Sequence, residues 1–220
     1  MKNFLILLNR ELCLILKNTR ILFSFSSFFL ISLLLFVFAI GTDLQKLSSL
    51  FVPILWMIII FSIILISESF VLEDFSDGSL SELQTMGYSE ELIFLSKSSA
   101  MFFSLLLPNM FLVPIASLLF RISLVDALEI ILIVLIALPT LVLISILSAL
   151  ISLQVRKNKF IQFILIMPFL VPVLIFSTSS NSFLNYADSQ FKILILIGLF
   201  LITLPVTVFF GKLVIKELNY

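Results

Sequence analysis

One polar segment interrupts this hydrophobic chain, and it holds the side chains best placed for chemistry. The segment reads Glu73-Asp74-Phe75-Ser76-Asp77-Gly78-Ser79-Leu80-Ser81-Glu82-Leu83. With its flanks, residues 68 to 91, it carries seven of the thirteen acidic residues, and only Lys97 offsets them. A loop this acidic gains nothing from an anionic lipid surface. We therefore expect it to stand away from such a surface and to meet a basic protein partner.

The order of residues in this segment predicts two short helices. Gly78 breaks the chain, and Ser79 with Glu82 has the spacing of a capping box. Gly87 suits a left-handed helix stop, and Ser89 suits the start of a second helix. A short helix across a membrane surface is what a transmembrane subunit needs to seat in a groove of an ATPase. A solvated linker with ordinary caps is the open alternative.

The chain lacks the residues for a reaction of its own. It has no histidine and a single cysteine, Cys13, which excludes an intramolecular disulfide, a Cys-x-x-Cys pair and an obvious set of haem ligands. Gly211-Lys212 lacks the upstream glycine and the following Ser or Thr of a phosphate-binding loop. We predict no catalytic, cofactor-binding or metal-binding residues, and therefore no enzyme.

The composition of the chain indicates what kind of elements position the acidic segment. The 220 residues are 61% hydrophobic with a mean hydropathy of +1.29, far above the roughly 45–50% apolar content of globular proteins. Thirteen basic and thirteen acidic residues give zero net charge, so nucleic-acid binding has no electrostatic basis. These values predict an all-α polytopic membrane protein in contact with the lipid bilayer.

Apolar segments long enough to cross a bilayer, about 20 residues at helical rise, give a single transmembrane domain over residues 1–220 with six helices. The predicted spans are 21–40, 50–67, 98–120, 124–153, 160–176 and 191–210, with a cytoplasmic coupling loop over 73–97. The deep parts of these spans hold no acidic, basic or histidine side chain, which argues against a proton-driven carrier.

Residues 1–20 predict an amphipathic helix. Polar residues recur at Asn3, Arg10 and Lys17, while apolar residues fill the opposite side at helical spacing: Phe4, Leu5, Leu8, Leu12 and Ile15. Such a helix would lie in the membrane plane. An N-terminal extension of the first span is the alternative.

Basic residues set the expected orientation, because Lys and Arg in short loops stay in the cytoplasm. With both termini inside, ten basic residues are cytoplasmic and three, Lys46, Arg121 and Lys192, are outside. We predict cytoplasmic N and C termini.

The fifth predicted span carries Pro168 and Pro172 four residues apart on one helical face. Each proline removes a backbone hydrogen bond, so we expect a kinked or broken helix. The two prolines are candidates for a hinge or for the lining of a substrate path.

Two segments resemble the CcmB family, the permease of cytochrome c maturation. The polar segment resembles its acidic F-x-D-G-x-L-E-x-L motif, and Pro168-Phe169-Leu170-Val171-Pro172-Val173-Leu174-Ile175-Phe176 matches its P-x-x-V-P-V-L-I-F run. The resemblance extends over the whole chain. The sequence departs from the family pattern at Ser81 and at Ser177-Thr178.

The resemblance implies an ABC-2-like permease with an N-terminal elbow helix in a bacterial plasma membrane or a mitochondrial inner membrane. Its implied partners are a separate ABC ATPase, which hydrolyses ATP, and the haem-handling membrane proteins and haem chaperone of cytochrome c maturation. Haem export or release of the haem-loaded chaperone would be the work done, with haem as a candidate substrate. The residues expected to couple to the ATPase are Glu73, Asp74, Phe75, Asp77, Gly78, Leu80, Glu82 and Leu83.

Two other functions stay open on the sequence alone. A permease of a general small-molecule or lipid ABC exporter would share the elbow and the coupling loop. A structural assembly factor without a motor would share only the membrane body.

Overall fold

The computed structural model describes residues 2–17, 19–41, 43–154, 160–178 and 186–218. Within these ranges every regular element is an α-helix, which confirms the all-α class. The helices are α1 (Lys2–Lys17), α2 (Arg20–Ile40), α3 (Leu44–Ser76), α4 (Ser79–Thr85), α5 (Glu90–Leu119), α6 (Leu124–Gln154), α7 (Phe160–Thr178) and α8 (Tyr186–Glu217).

Five helices in the described part of the chain are long and apolar enough to cross a membrane. They are α2, α3, α5, α6 and the Phe191–Glu217 part of α8. The protein is therefore a multi-pass membrane protein. A sixth span was predicted over 160–176, which coincides with α7.

The ends of several helices meet at one end of the bundle, called here the α4 end. Gln84 of α4 donates through Nε2 to the carbonyl oxygen of Ile215 on α8 at 3.1 Å. Gln154, the last residue of α6, donates to the carbonyl oxygen of Val214 at 3.3 Å. The last turns of α6 and α8 therefore lie beside α4.

Helix α7 runs lengthwise between the two ends of the bundle. Near its start, Gln162 donates to the carbonyl oxygen of Ile64 at 3.2 Å and to Ser67 Oγ at 3.1 Å on α3. Near its last turn, Phe176 shares a cavity of about 130 Å³ with Glu129 of α6 and Lys192 of α8, both close to the starts of their helices. The helix continues unbroken through Pro168 and Pro172.

Helix α6 lies at the centre of the packing and contacts α3, α5, α7 and α8. Its small side chains Ser145, Ser148 and Ala149 are buried. Small residues let helix backbones approach closely, which is the usual basis of helix association in lipid. Helix α6 is thus packed against α3 and α5, the two long helices that flank the acidic segment.

Helix α1 packs against α5. Its buried residues are Leu7, Glu11 and Ile15, four residues apart, so they lie on one helical face. The helix predicted for the N-terminus is present, but the face that meets the protein has an acidic residue at its centre. That the helix lies in the membrane plane remains a prediction.

Candidate functional site

The acidic segment contains the two predicted helix starts, at Ser79 and Glu90, but more of it is helical than expected. Helix α3 continues to Ser76, so Glu73, Asp74 and Phe75 belong to its last turns. Helix α5 already begins at Glu90, which places Lys97 two turns inside a helix. Between these helices lie a tight turn, α4 and a second turn.

The first turn needs glycine. Gly78 adopts φ 73° and ψ 6°, the left-handed region that residues with a Cβ rarely enter. This turn directs α4 back over the bundle, with Leu80 and Leu83 buried at 4% and 3% exposure. Asp77 and Glu82 are exposed on the outer side. The segment thus presents carboxylates outward and anchors itself inward with leucines.

The capping box expected from Ser79 and Glu82 is wrong. Gly78 occupies the N-cap position, and Ser79 is the first helical residue. The Ser79 hydroxyl lies 3.1 Å from Asp74 Oδ1 and 3.2 Å from the Asp74 carbonyl oxygen, both as acceptors. Ser79 therefore ties the start of α4 to the end of α3. In the second turn Gly87 has the predicted left-handed conformation, with φ 83°. Ser89 lies at the predicted N-cap position before α5, but its side chain makes no capping hydrogen bond.

Beneath this surface three helices share a cluster of buried charges. Lys97 of α5 donates through Nζ to Glu11 Oε2 of α1 at 3.1 Å and to Asp74 Oδ2 of α3. The side chains of Lys97 and Glu11 are 1% and 0% exposed, and Asp74 is 14% exposed. Arg10 contacts Glu11 Oε1 through Nη1 at 2.7 Å. Two cations thus balance two anions, as burial of charge requires.

An aromatic ring completes the surroundings of the lysine. The Lys97 Nζ atom lies 5.2 Å from the centroid of the Phe70 ring, one helical turn before Asp74 on α3. A cation at this distance from a ring face is stabilised by the ring quadrupole. Lys97 is therefore held on three sides by α1 and α3.

A cavity of about 240 Å³, lined by both charged and apolar side chains, adjoins the cluster. Its charged lining consists of Arg10 from α1 and of Glu73, Asp74 and Asp77 from the end of α3. Three of the residues predicted to couple to a partner therefore line one cavity. The cavity gives the carboxylate end of the segment a concave, acidic character.

The other side of α5 meets α8. Glu91 and Lys212 form an ion pair at 2.8 Å with both side chains about half exposed, at 47% and 44%. One turn further along α5, the Phe94 ring packs on Gly211, where an added Cβ would come within 2.5 Å of the ring. The close approach of α5 and α8 thus depends on a glycine.

The structure divides the predicted coupling residues into two groups. Glu73, Asp77 and Glu82 face outward, whereas Leu80 and Leu83 are buried and Phe75 packs against the core. Asp74 is a partner of Lys97. Pro168 and Pro172 lie on α7, which does not contribute to the cavity lining.

Sequence reasoning missed the roles of Glu11 and Lys97. The signal available was an acidic residue at the centre of an apolar helical face, with Leu7 and Ile15 on either side. A charge in such a position requires a buried partner. The partner is 86 residues away in the sequence, so no local spacing identifies it.

Comparison with known proteins decides the family. A family model described as "CcmB protein" matches residues 2–216. The chain belongs to the CcmB family. The match includes the acidic segment and all four members of the charge cluster, Arg10, Glu11, Asp74 and Lys97.

Two relatives share one description, Heme exporter protein B. Heme exporter protein B of Haemophilus influenzae is 30% identical over 176 residues, 80% of each chain. Heme exporter protein B of Bradyrhizobium diazoefficiens is 30% identical over 155 residues, 70% of this chain and 69% of the relative. The chain is thus similar over most of its length to two proteins described as Heme exporter protein B.

Proposed function

We propose that this chain is the permease subunit of an ABC-type complex in an inner membrane, acting in cytochrome c biogenesis. The observation that carries the proposal is the CcmB family match over residues 2–216. Relatives described as Heme exporter protein B make haem the substrate class. ATP would be hydrolysed by a separate subunit, because the sequence has no phosphate-binding loop.

The course of the helices supports six crossings with both termini in the cytoplasm. Helices α6 and α8 both end at the α4 end. Helix α8 has 32 residues and therefore begins at the far end. The chain between α6 and α8 must cross from the α4 end to the far end. Helix α7, which runs between the two ends, supplies the outward crossing. Together with the distribution of basic residues, this course favours a cytoplasmic α4 end.

The outer surface of α3, α4 and their turn is the proposed contact for the ATPase. The exposed carboxylates of Asp77 and Glu82 complement a basic groove. The buried Leu80 and Leu83 prevent the element from moving independently of the bundle. A push on this surface would therefore reach the transmembrane helices.

The coupling contact is tested by charge reversal on the exposed residues alone. We expect Asp77→Lys with Glu82→Lys to abolish co-purification of the ATPase while leaving membrane insertion unchanged. Asp74 is left intact, because its reversal would break the charge cluster. Asp126→Lys at the far end of the bundle is the matched control. Unchanged co-purification of the ATPase with the double variant would refute the contact.

The pathway is tested by deletion and complementation. Deletion should remove covalently attached haem from c-type cytochromes, and the intact chain should restore it, measured by in-gel haem staining. Normal haem attachment after deletion would instead favour a general small-molecule or lipid exporter. Full function without any ATPase co-purifying in mild detergent would favour a structural assembly factor.

A second measurement distinguishes two activities of the complex, the export of haem and the release of a haem-loaded chaperone. If the complex exports haem, membrane vesicles should accumulate it on ATP addition. If it releases a haem-loaded chaperone, ATP should instead free the chaperone from the membrane fraction. Either result keeps the chain in the haem-handling step.

A further inference from the structure

We infer that Lys97 is a positioning residue that locks the N-terminal helix α1 to the ATPase-contacting segment, so that the two move as one rigid body. The inference rests on the proposed function, since it assigns the path by which force from an ATPase reaches the N-terminus. The residues of the lock are Glu11, Asp74 and Lys97.

The geometry gives each helix one charge that cannot leave alone. Lys97 comes from α5, Glu11 from α1 and Asp74 from α3, and the three meet through a single ammonium group. If α1 moved away from α5, Glu11 would keep only Arg10, and Lys97 would keep only Asp74. The movement costs free energy, because a buried charge that loses one of its partners is destabilised. Small forces on α4 would therefore not separate these helices.

The connection continues to the surface that the ATPase would touch. The Ser79 hydroxyl at the start of α4 reaches Asp74 Oδ1 at 3.1 Å. On the opposite side, Arg10 covers Glu11 Oε1 at 2.7 Å. A continuous chain of charged and hydrogen-bonded groups thus joins α4 to α1 through Asp74, Lys97 and Glu11.

Stability alone does not call for charges here. An apolar set of similar volume packs as well or better, whereas a buried ion cluster holds its helices in one defined arrangement. The cluster lies directly under the acidic surface and not elsewhere in the described bundle core. Its position fits transmission of movement rather than general stabilisation.

The test removes the lock without leaving a fully buried charge unpaired, because Arg10, which loses Glu11, is 35% exposed. The neutral triple variant combines Glu11→Gln, Asp74→Asn and Lys97→Met. Its matched control, Glu91→Gln with Lys212→Met, removes the half-exposed ion pair from the same helix. Three quantities are measured in the full complex for the wild type and for both variants. They are ATPase co-purification, stimulation of ATP hydrolysis and covalent haem on c-type cytochromes.

Rigid-body movement is measured directly by a spin-label distance. Labels at Asn9→Cys and Thr85→Cys, two exposed positions on α1 and α4, are placed in a Cys13→Ser background. In the wild type we expect one distance that is the same with and without ATP. In the triple variant we expect a broadened distance that depends on nucleotide.

The triple variant should bind the ATPase like the wild type and lose stimulation by about fivefold or more, while the control keeps it. If the triple variant stimulates ATP hydrolysis as strongly as the wild type, the lock is overturned. The lock is also overturned if the spin-label distance in the wild type changes by about 5 Å or more between nucleotide states, which is the size of a one-turn helix shift. If the triple variant does not accumulate, Glu11→Gln alone decides: lost stimulation supports the lock, and unchanged stimulation overturns it.

Failure of the lock is distinguishable from failure of the proposed function. If no ATPase co-purifies with the wild-type chain, the proposed function fails, and the lock is overturned with it. If the ATPase binds and is stimulated equally in the wild type and the triple variant, only the lock fails.

Discussion

Helix α5 makes a charged contact on each of two sides, and one contact is buried while the other is about half exposed. Towards α1 and α3, Lys97 is buried among carboxylates and an aromatic ring. Towards α8, Glu91 and Lys212 form an ion pair that is about half exposed to the surroundings. Both contacts lie within two helical turns of the start of α5.

The difference shows where each contact derives its strength. A half-exposed ion pair is screened and contributes little, so the α8 side depends on apolar packing around Gly211 and Phe94. In a buried cluster, loss of Lys97 removes a partner from both Glu11 and Asp74, which is costly for buried charges. The α1 side therefore resists separation by charge, and the α8 side by shape.

Breaking the buried side alone should have the largest effect. Lys97→Met leaves Asp74 without this cation and leaves Glu11 with Arg10 alone, and we expect a loss of about 3–5 kcal/mol of stability. Thermal denaturation in detergent, followed by loss of the monodisperse peak, measures it. A melting temperature like that of the wild type would show that the carboxylates find other partners and would remove the contrast between the two sides.

Crowding the α8 side should have an intermediate effect. In Gly211→Ala the new methyl group meets the Phe94 ring, which is 0% exposed, so we expect about 1–3 kcal/mol of destabilisation. Gly198→Ala on the same helix, with no heavy atom near its added Cβ, is the matched control. Equal melting temperatures for both variants would contradict a shape-dependent contact.

Removing the exposed charge should have the smallest effect. Lys212→Met deletes the partner of Glu91 but keeps the packing of Gly211, so we expect the melting temperature to stay close to that of the wild type. A loss as large as that of Lys97→Met would mean that exposure does not distinguish the two contacts.

Much of the fold could be predicted from composition and periodicity. Apolar segments of bilayer length identified the long helices, and Gly78, Gly87 and Ser89 marked the turns around α4. The end of α3 was predicted too early because Glu73 and Asp74 are polar, although a helix can continue beyond the apolar segment. The Ser79 hydroxyl was misassigned because Asp74, five residues earlier, competes with the capping position.

The candidate site was less accessible to prediction. Outward and inward faces of α4 follow from the spacing of Leu80 and Leu83, but the position of Asp74 does not. Lys97 was interpreted only as a counter-charge for the loop, and no role was predicted for Glu11. Their meeting depends on the packing of α1, α3 and α5, which sequence separations of 86 and 23 residues do not encode locally.

The most direct test of the proposed ATPase contact is the side of the membrane that the α4 surface faces. In a Cys13→Ser background, Glu82→Cys is probed with a membrane-impermeant maleimide in right-side-out and inverted vesicles, with Asp126→Cys as the far-end control. The account predicts labelling of position 82 only in inverted vesicles and of position 126 only in right-side-out vesicles. Labelling of position 82 from the outside would contradict it, because no cytoplasmic ATPase could then reach the acidic segment.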